Sequence, residues 1–207
     1  LIDYKEAKHL WHTDRVDFWM LMATFAGTLS LGIEQGILIG VALSLGVVIF
    51  RTTLPHFAVL GRIPGEDHYK NINRFDNLEQ REDILIMRFD ARLYFANVNF
   101  FKESIEAEVE RRKDHLQLFI LDANSINSVD SSGIHALEEI HEYLASMGIE
   151  FYMTSVKGPL RDTLQRAHFD EHHGKDKFFM HIQTAVDEYD KKNPQRYKDY
   201  VLQTNVS

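Results

Sequence analysis

Two neighbouring stretches decide the reading of this chain: Leu116-Gln117-Leu118-Phe119-Ile120-Leu121-Asp122 and, after a short loop, Asp130-Ser131-Ser132-Gly133. The first is a nearly continuous apolar run, as expected of a strand buried on both faces. After the second, Ile134, Leu137, Ile140, Leu144 and Met147 recur at steps of three and four, which predicts a helix stopping at Gly148. Strand, polar turn, helix is the unit. Asp130 or Ser131 is placed to accept a hydrogen bond from a first-turn amide, and the N–H groups of Ser132, Gly133 and Ile134 are expected to face outward. The helix dipole there favours negative charge. Asp130, Ser131, Ser132 and Gly133 therefore form the candidate site, for an anion or for a phosphate carried by one of its own serines. The plainer role is a helix cap, in which case losing the Ser131 hydroxyl would cost about 1 kcal/mol.

Working outward, Ile149 to Thr154 reads as the next strand, and Pro159 opens a helix from about Leu160 to Ala167. A last helix is expected near Ile182 to Tyr189. In the other direction, Asn97 is a candidate cap for a helix whose apolar stripe is Phe100, Phe101, Ile105 and Val109. Ile84 to Phe89 reads as a core strand, and Arg92 to Phe95 as its continuation or a second short strand. Leu54 to Gln80, broken by Pro55, Gly61, Pro64 and Gly65, reads as linker and entry, with Tyr69 to Phe75 as a first edge strand. Alternating strands and helices predict an α/β fold: a mixed sheet with helices packed on one side. Residues 66 to 192 are expected to fold alone.

The first third differs in kind. No charged side chain occurs from Phe18 to Ile33, nor from Gly36 to Phe50. Each run covers roughly 22 to 24 Å as a helix, close to the thickness of a bilayer core. Gly27, Gly32, Gly36, Gly40 and Gly46 suit close helix approach in lipid, and Trp11 and Trp19 lie near one boundary. An α-helical transmembrane hairpin is the reading, with Leu1 to Thr13 as an amphipathic interfacial helix before it. Lys5, Lys8 and Arg15 precede the hairpin and Arg51 and Arg62 follow it, whereas its turn has only Glu34, so both ends are expected in the cytoplasm. The division expected is 1–53 for the membrane part, 54–68 linker, 69–192 domain and 193–207 tail.

Composition sets exclusions. The 207 residues carry a net charge of −8 with no basic stripe, which argues against a nucleic-acid surface. Cysteine is absent, so no disulfide, thiolate metal site or redox pair is available. His168, His172 and His173 with Asp170, Glu171 and Asp176 carry metal-ligand types, but no further ligand converges in the sequence, and solvated histidines are the expectation. No nucleophile–base pairing and no glycine-rich phosphate cradle is visible. No enzyme, cofactor or metal is expected. The chain opens on Leu1 without a charged lead to an apolar core, so it is expected to be a fragment without a signal peptide.

The order strand, Asp130-Ser131-Ser132-Gly133, helix, strand resembles the STAS domain of sulfate transporters and bacterial anti-sigma factor antagonists. Trp11, Arg15 and Asp17, Ala23-Thr24-Phe25, Gly32-Ile33-Glu34-Gln35-Gly36-Ile37, Pro55-His56, Leu60-Gly61 and Ile63-Pro64-Gly65 look like the end of a SulP membrane domain. The resemblance implies the last two spans of a homodimeric SulP anion transporter followed by its cytoplasmic STAS domain, a regulatory module open to a protein partner. It places the phosphorylatable serine at Ser132. It also implies that the lipid bilayer and the rest of the membrane domain are partners, and that the substrate site lies upstream. The alternative is a membrane-anchored STAS signalling protein of antagonist type, switched by phosphorylation.

Overall fold

The computed structural model describes residues 4–195 and divides the chain into two units, Leu1–Thr53 and Leu54–Ser207. The expected features at residues 1–3 and 196–207 lie outside the described residues.

The first unit is helical: α1 Tyr4–Thr13, α2 Arg15–Leu31 and α3 Ile33–Thr53. Asp14 caps α2, accepting hydrogen bonds from Val16 N (2.9 Å) and Asp17 N (3.4 Å). Gly32, at φ 104°, makes the reversal, a conformation that only glycine adopts without strain. The two long helices run back to back through small residues. A side chain added at Gly36 would collide with Thr28, and one at Gly27 would come within 2.8 Å of Ile39 Cδ1. Arg51 closes the open end on Asp14 (2.5 Å) and Asp17 (3.2 Å). Outward, Leu29, Leu38, Leu45 and Phe50 are each 60% exposed or more. Such a surface has no partner in water. By length and composition α3 is the one described helix able to cross a membrane; α2, at 17 residues, is shorter.

The second unit is an α/β layer. Its elements are β1 Phe57–Arg62, β2 Tyr69–Asn71, β3 Ile84–Phe89, α4 Val98–Arg112, β4 Leu118–Asp122, α5 Ser131–Ser146, β5 Glu150–Thr154, α6 Gly158–Arg166, α7 Phe169–His173, β6 Phe178–Phe179 and α8 Ile182–Lys192. The six strands lie in the order β2-β1-β3-β4-β5-β6; β1 is antiparallel to both neighbours and β3 to β6 are parallel. All five residues of β4 are buried, which is why its sequence is apolar without alternation until it ends on the buried Asp122. Leu85, Met87, Phe119, Leu121 and Phe151 pack with Phe101 and Ile105 of α4 and Leu137 and Ile140 of α5. The alternate residues Ile84, Ile86, Leu118, Ile120 and Tyr152 pack with Ala185, Val186 and Tyr189 of α8.

Four expectations are corrected. Helices cover both faces, because the side chains of β3 to β5 that point away from α4 and α5 are also apolar and α8 buries them. The stretch expected as linker holds β1, which sits inside the sheet; its prolines and glycines flank a run, Phe57-Ala58-Val59-Leu60, that is itself strand-like. A cut at residue 66 would therefore remove an internal strand. The edge strand stops at Asn71, whose side chain and carbonyl take the amides of Asn73 (2.8 Å), Arg74 (3.0 Å) and Phe75 (3.2 Å) into a turn. Arg92 to Phe95 forms no strand; only Leu93 pairs, as an isolated parallel bridge to Val129.

Candidate functional site

The parallel strands β3, β4 and β5 all end on one side of the sheet, and the loops that leave them build the candidate site. The loop after β4 makes the Leu93–Val129 bridge, with Leu93 N donating to Ser128 O (3.1 Å) and Asp130 N to Leu93 O (3.3 Å). This delivers Asp130 to the head of α5. There its carboxylate does two jobs. Oδ1 accepts from Gly133 N at 2.8 Å, and Oδ2 accepts from Phe95 N at 3.0 Å. One residue thus caps the helix and pins the facing loop. Asn97 holds that loop from the other end: it sits at the head of α4 but makes no cap bond, instead accepting from Tyr94 N (3.0 Å) and donating to Arg92 O (2.9 Å).

Gly133 is explained by space. A Cβ there would lie 2.8 Å from Leu93 O and 2.5 Å from Val129 Cγ2, so any larger residue drives α5 off the loops it rests on. Ser131 is exposed and Ser132 half-buried. The Ser131 hydroxyl is not the cap. Nor do Gly133 and Ile134 offer free amides, since Asp130 takes the first and its carbonyl accepts the second at 3.0 Å. Among the described residues, the first-turn amides left without an acceptor are those of Ser131 and Ser132, beside a carboxylate already in place. A free anion would meet that charge; a phosphate on Ser131 or Ser132 would extend from an accessible hydroxyl into the same field. Close by, Phe95 is 71% exposed against the Tyr94 ring, and Arg92 stacks on Tyr94 at 4.3 Å.

Two groups under the same loops went unrecognised in the sequence. Arg88 donates to Asp90 through Nε (to Oδ1, 2.5 Å) and Nη2 (to Oδ2, 2.9 Å), and His56 Nδ1 lies 2.9 Å from the same Oδ2. Burial pushes the Asp90 carboxyl up, but these hydrogen bonds outweigh it and hold the group below the usual carboxylate range. Asp122 is pushed the other way, mainly by burial at the end of β4. Arg-x-Asp in Arg88–Asp90 was the signal available.

The histidines separate. His168 (φ 57°) and His172 are exposed, whereas His173, expected in solvent, is buried among Phe151, Phe169 and Phe178. Its Nδ1 lies 3.2 Å from Nδ1 of His141 on α5, and its Nε2 has no hydrogen-bond partner among the described residues. Burial lowers its pKa to about 3 and lowers that of His141 as well, so both stay neutral and one ring donates to the other. Among the described residues no three ligand side chains converge as a metal would need.

Residues 77–185 match the family model of the STAS domain. The probable sulfate transporter 4.2 of Arabidopsis thaliana is 36% identical over 195 residues, 90% of this chain and 29% of that protein. The high affinity sulfate transporter 2 of Stylosanthes hamata is 31% identical over 200 residues, 93% of this chain and 30% of its own length. The chain thus spans under a third of the curated relatives it matches. The fold is that of the murine Solute Carrier 26 family member A9 anion transporter in the inward-facing state, with a TM-score of 0.79, 23% identity, and coverage of 88% of this chain and 30% of that one.

Proposed function

Since this chain belongs to the STAS-domain family, we propose that it is the C-terminal part of a SulP-type secondary transporter of sulfate or a related inorganic anion. In this reading α2 and α3 are membrane helices and the sheet domain is a regulatory module facing the cytoplasm. One observation carries it. The likeness to sulfate transporters runs over 90% of the chain and so takes in the apolar helices together with the domain. A STAS signalling protein on a simple anchor would share only the domain.

The surfaces fit. The apolar flanks of α2 and α3 need lipid or further helices, and Lys5, Lys8, Arg15 and Arg51 gather at the ends rather than the turn, which favours a cytoplasmic domain. A homodimer and a protein partner of the domain belong to the same proposal, as do the boundaries 1–53 for the membrane part and a domain reaching residue 192. Within it, Asp130 organises the head of α5, Gly133 allows it to seat, and Ser132 or Ser131 takes the regulatory charge. Two helices enclose no pathway. Vesicles holding this chain alone should therefore show no sulfate flux above protein-free controls, while the longer protein containing it should. Saturable flux from the chain alone, or none from the longer protein, would overturn the proposal.

A further inference from the structure

We propose that the domain holds a pocket for a phosphorylated lipid headgroup, between the start of β1, the turn after β2 and the end of β3. It rests on reading α3 as a membrane helix. The pocket has a volume of about 410 Å³, and His56, Lys70, Arg74, Phe75, Arg88 and Asp90 line it. In a chain of net charge −8, three permanent cations here face one carboxylate. Asp90 is already committed to Arg88 and His56. Lys70 and Arg74 are exposed and have no carboxylate partner among the described residues. Two uncompensated cations suit a dianion, and the planar guanidinium of Arg74 suits phosphate oxygens in particular.

Shape and place narrow the ligand. The volume has room for a ring-sized headgroup. The Lys70 ammonium lies 5.8 Å from the centre of the Phe75 ring, itself 51% exposed, a basic and apolar pairing of the kind that interfacial segments present to anionic lipid. The buried Asn71, which takes the amides of Asn73, Arg74 and Phe75, makes the turn a fixed frame. His56 follows the end of α3 at Thr53 by three residues, and three residues of chain reach at most about 10 Å. On the reading of α3 as a membrane helix, the pocket's cations follow a membrane span closely in sequence, the setting in which Lys and Arg bind anionic lipid.

Native mass spectrometry of the whole chain in detergent micelles tests this. Phosphatidylinositol monophosphate should bind about tenfold more tightly than phosphatidylcholine. The preference should disappear in Lys70→Ala/Arg74→Ala, persist in Arg161→Ala on α6, and weaken in the unaltered chain as salt rises. Equal binding of the two lipids, or no loss in the double variant, overturns the site. Salt dependence decides should that variant fail to fold: a preference that salt leaves unchanged also overturns it. If free inositol phosphate binds as tightly as the lipid, the lipid source is wrong. Flotation with pure phosphatidylcholine vesicles reads the membrane role of α3 separately, so the two failures remain distinct.

Discussion

The helical unit and the sheet domain use the same apolar alphabet in opposite directions. Leu38 and Leu45 of α3 point outward and exposed, while Leu118 and Leu121 of β4 are fully buried. Glycine differs too. Gly36 lets two helices touch along their length, whereas Gly133 lets one helix head sit on two loops. The two units suit different solvents: the domain closes its core in water, whereas the outward leucines of α3 leave apolar surface that lipid could cover. Both tryptophans, Trp11 and Trp19, belong to the helical unit, while seven of the eight tyrosines, all but Tyr4, belong to the second unit, so tyrosine signals follow mainly the domain.

The largest expected effect lies in the domain core. Phe101→Ala should lower domain stability by about 3–5 kcal/mol, because the ring is fully buried against Phe89 (5.2 Å between centroids). Leu38→Ala should move the same transition by less than about 0.5 kcal/mol. Urea unfolding of the chain in micelles, read by tyrosine, checks both, and similar costs would erase the distinction between the units.

Acid comes next. His173 is neutral in the fold at a pKa of about 3 against an ordinary value of 6.5, so the unfolded chain binds the proton more readily. Its contribution is fully present above pH 6.5 and is lost as pH falls toward 3, on the order of a few kcal/mol. His141, Lys177 and Asp176 act on the same ring, with burial the larger cause. His173→Phe should flatten the tyrosine-monitored stability between pH 6.5 and pH 4. An unchanged slope would assign the acid response elsewhere.

The head of α5 is third. Asp130→Ala loses the cap and the Phe95 tether together and should cost about 1–2 kcal/mol, whereas Ser131→Ala should cost only a few tenths. The reverse order, measured by the same unfolding, would return the cap to Ser131.

Where one element dictated its own form, the sequence was legible. The β4 run, the stripe Ile134, Leu137, Ile140 and Leu144, and Gly148, which ends α5 at φ 73° with Ile149 N on Leu144 O (2.9 Å), needed no distant partner, whereas Met147, expected on that stripe, is exposed at the helix end. The choice between Asp130 and Ser131 as cap was not legible, because both suit the position and the loop that delivers Asp130 is set by Leu93, far away in the chain. For the same reason β1 was hidden: prolines and glycines mark where a chain turns, and Phe57 to Leu60 is a strand only because β3 lies beside it. His173 became a core residue through Phe151 and His141, which no local spacing reveals.

The proposed regulatory role is tested most directly by sulfate uptake through the longer protein that contains this chain, carrying Ser132→Ala, Ser132→Asp or Ser131→Ala and divided in each case by its folded abundance in the membrane. A carboxylate at Ser132 should leave the domain folded, since the first turn of α5 favours negative charge even with Asp130 alongside. Uptake per folded molecule should then differ between Ser132→Asp and Ser132→Ala while domain stability stays the same. If uptake tracks folded abundance in all three, the head of α5 is a helix cap and nothing more.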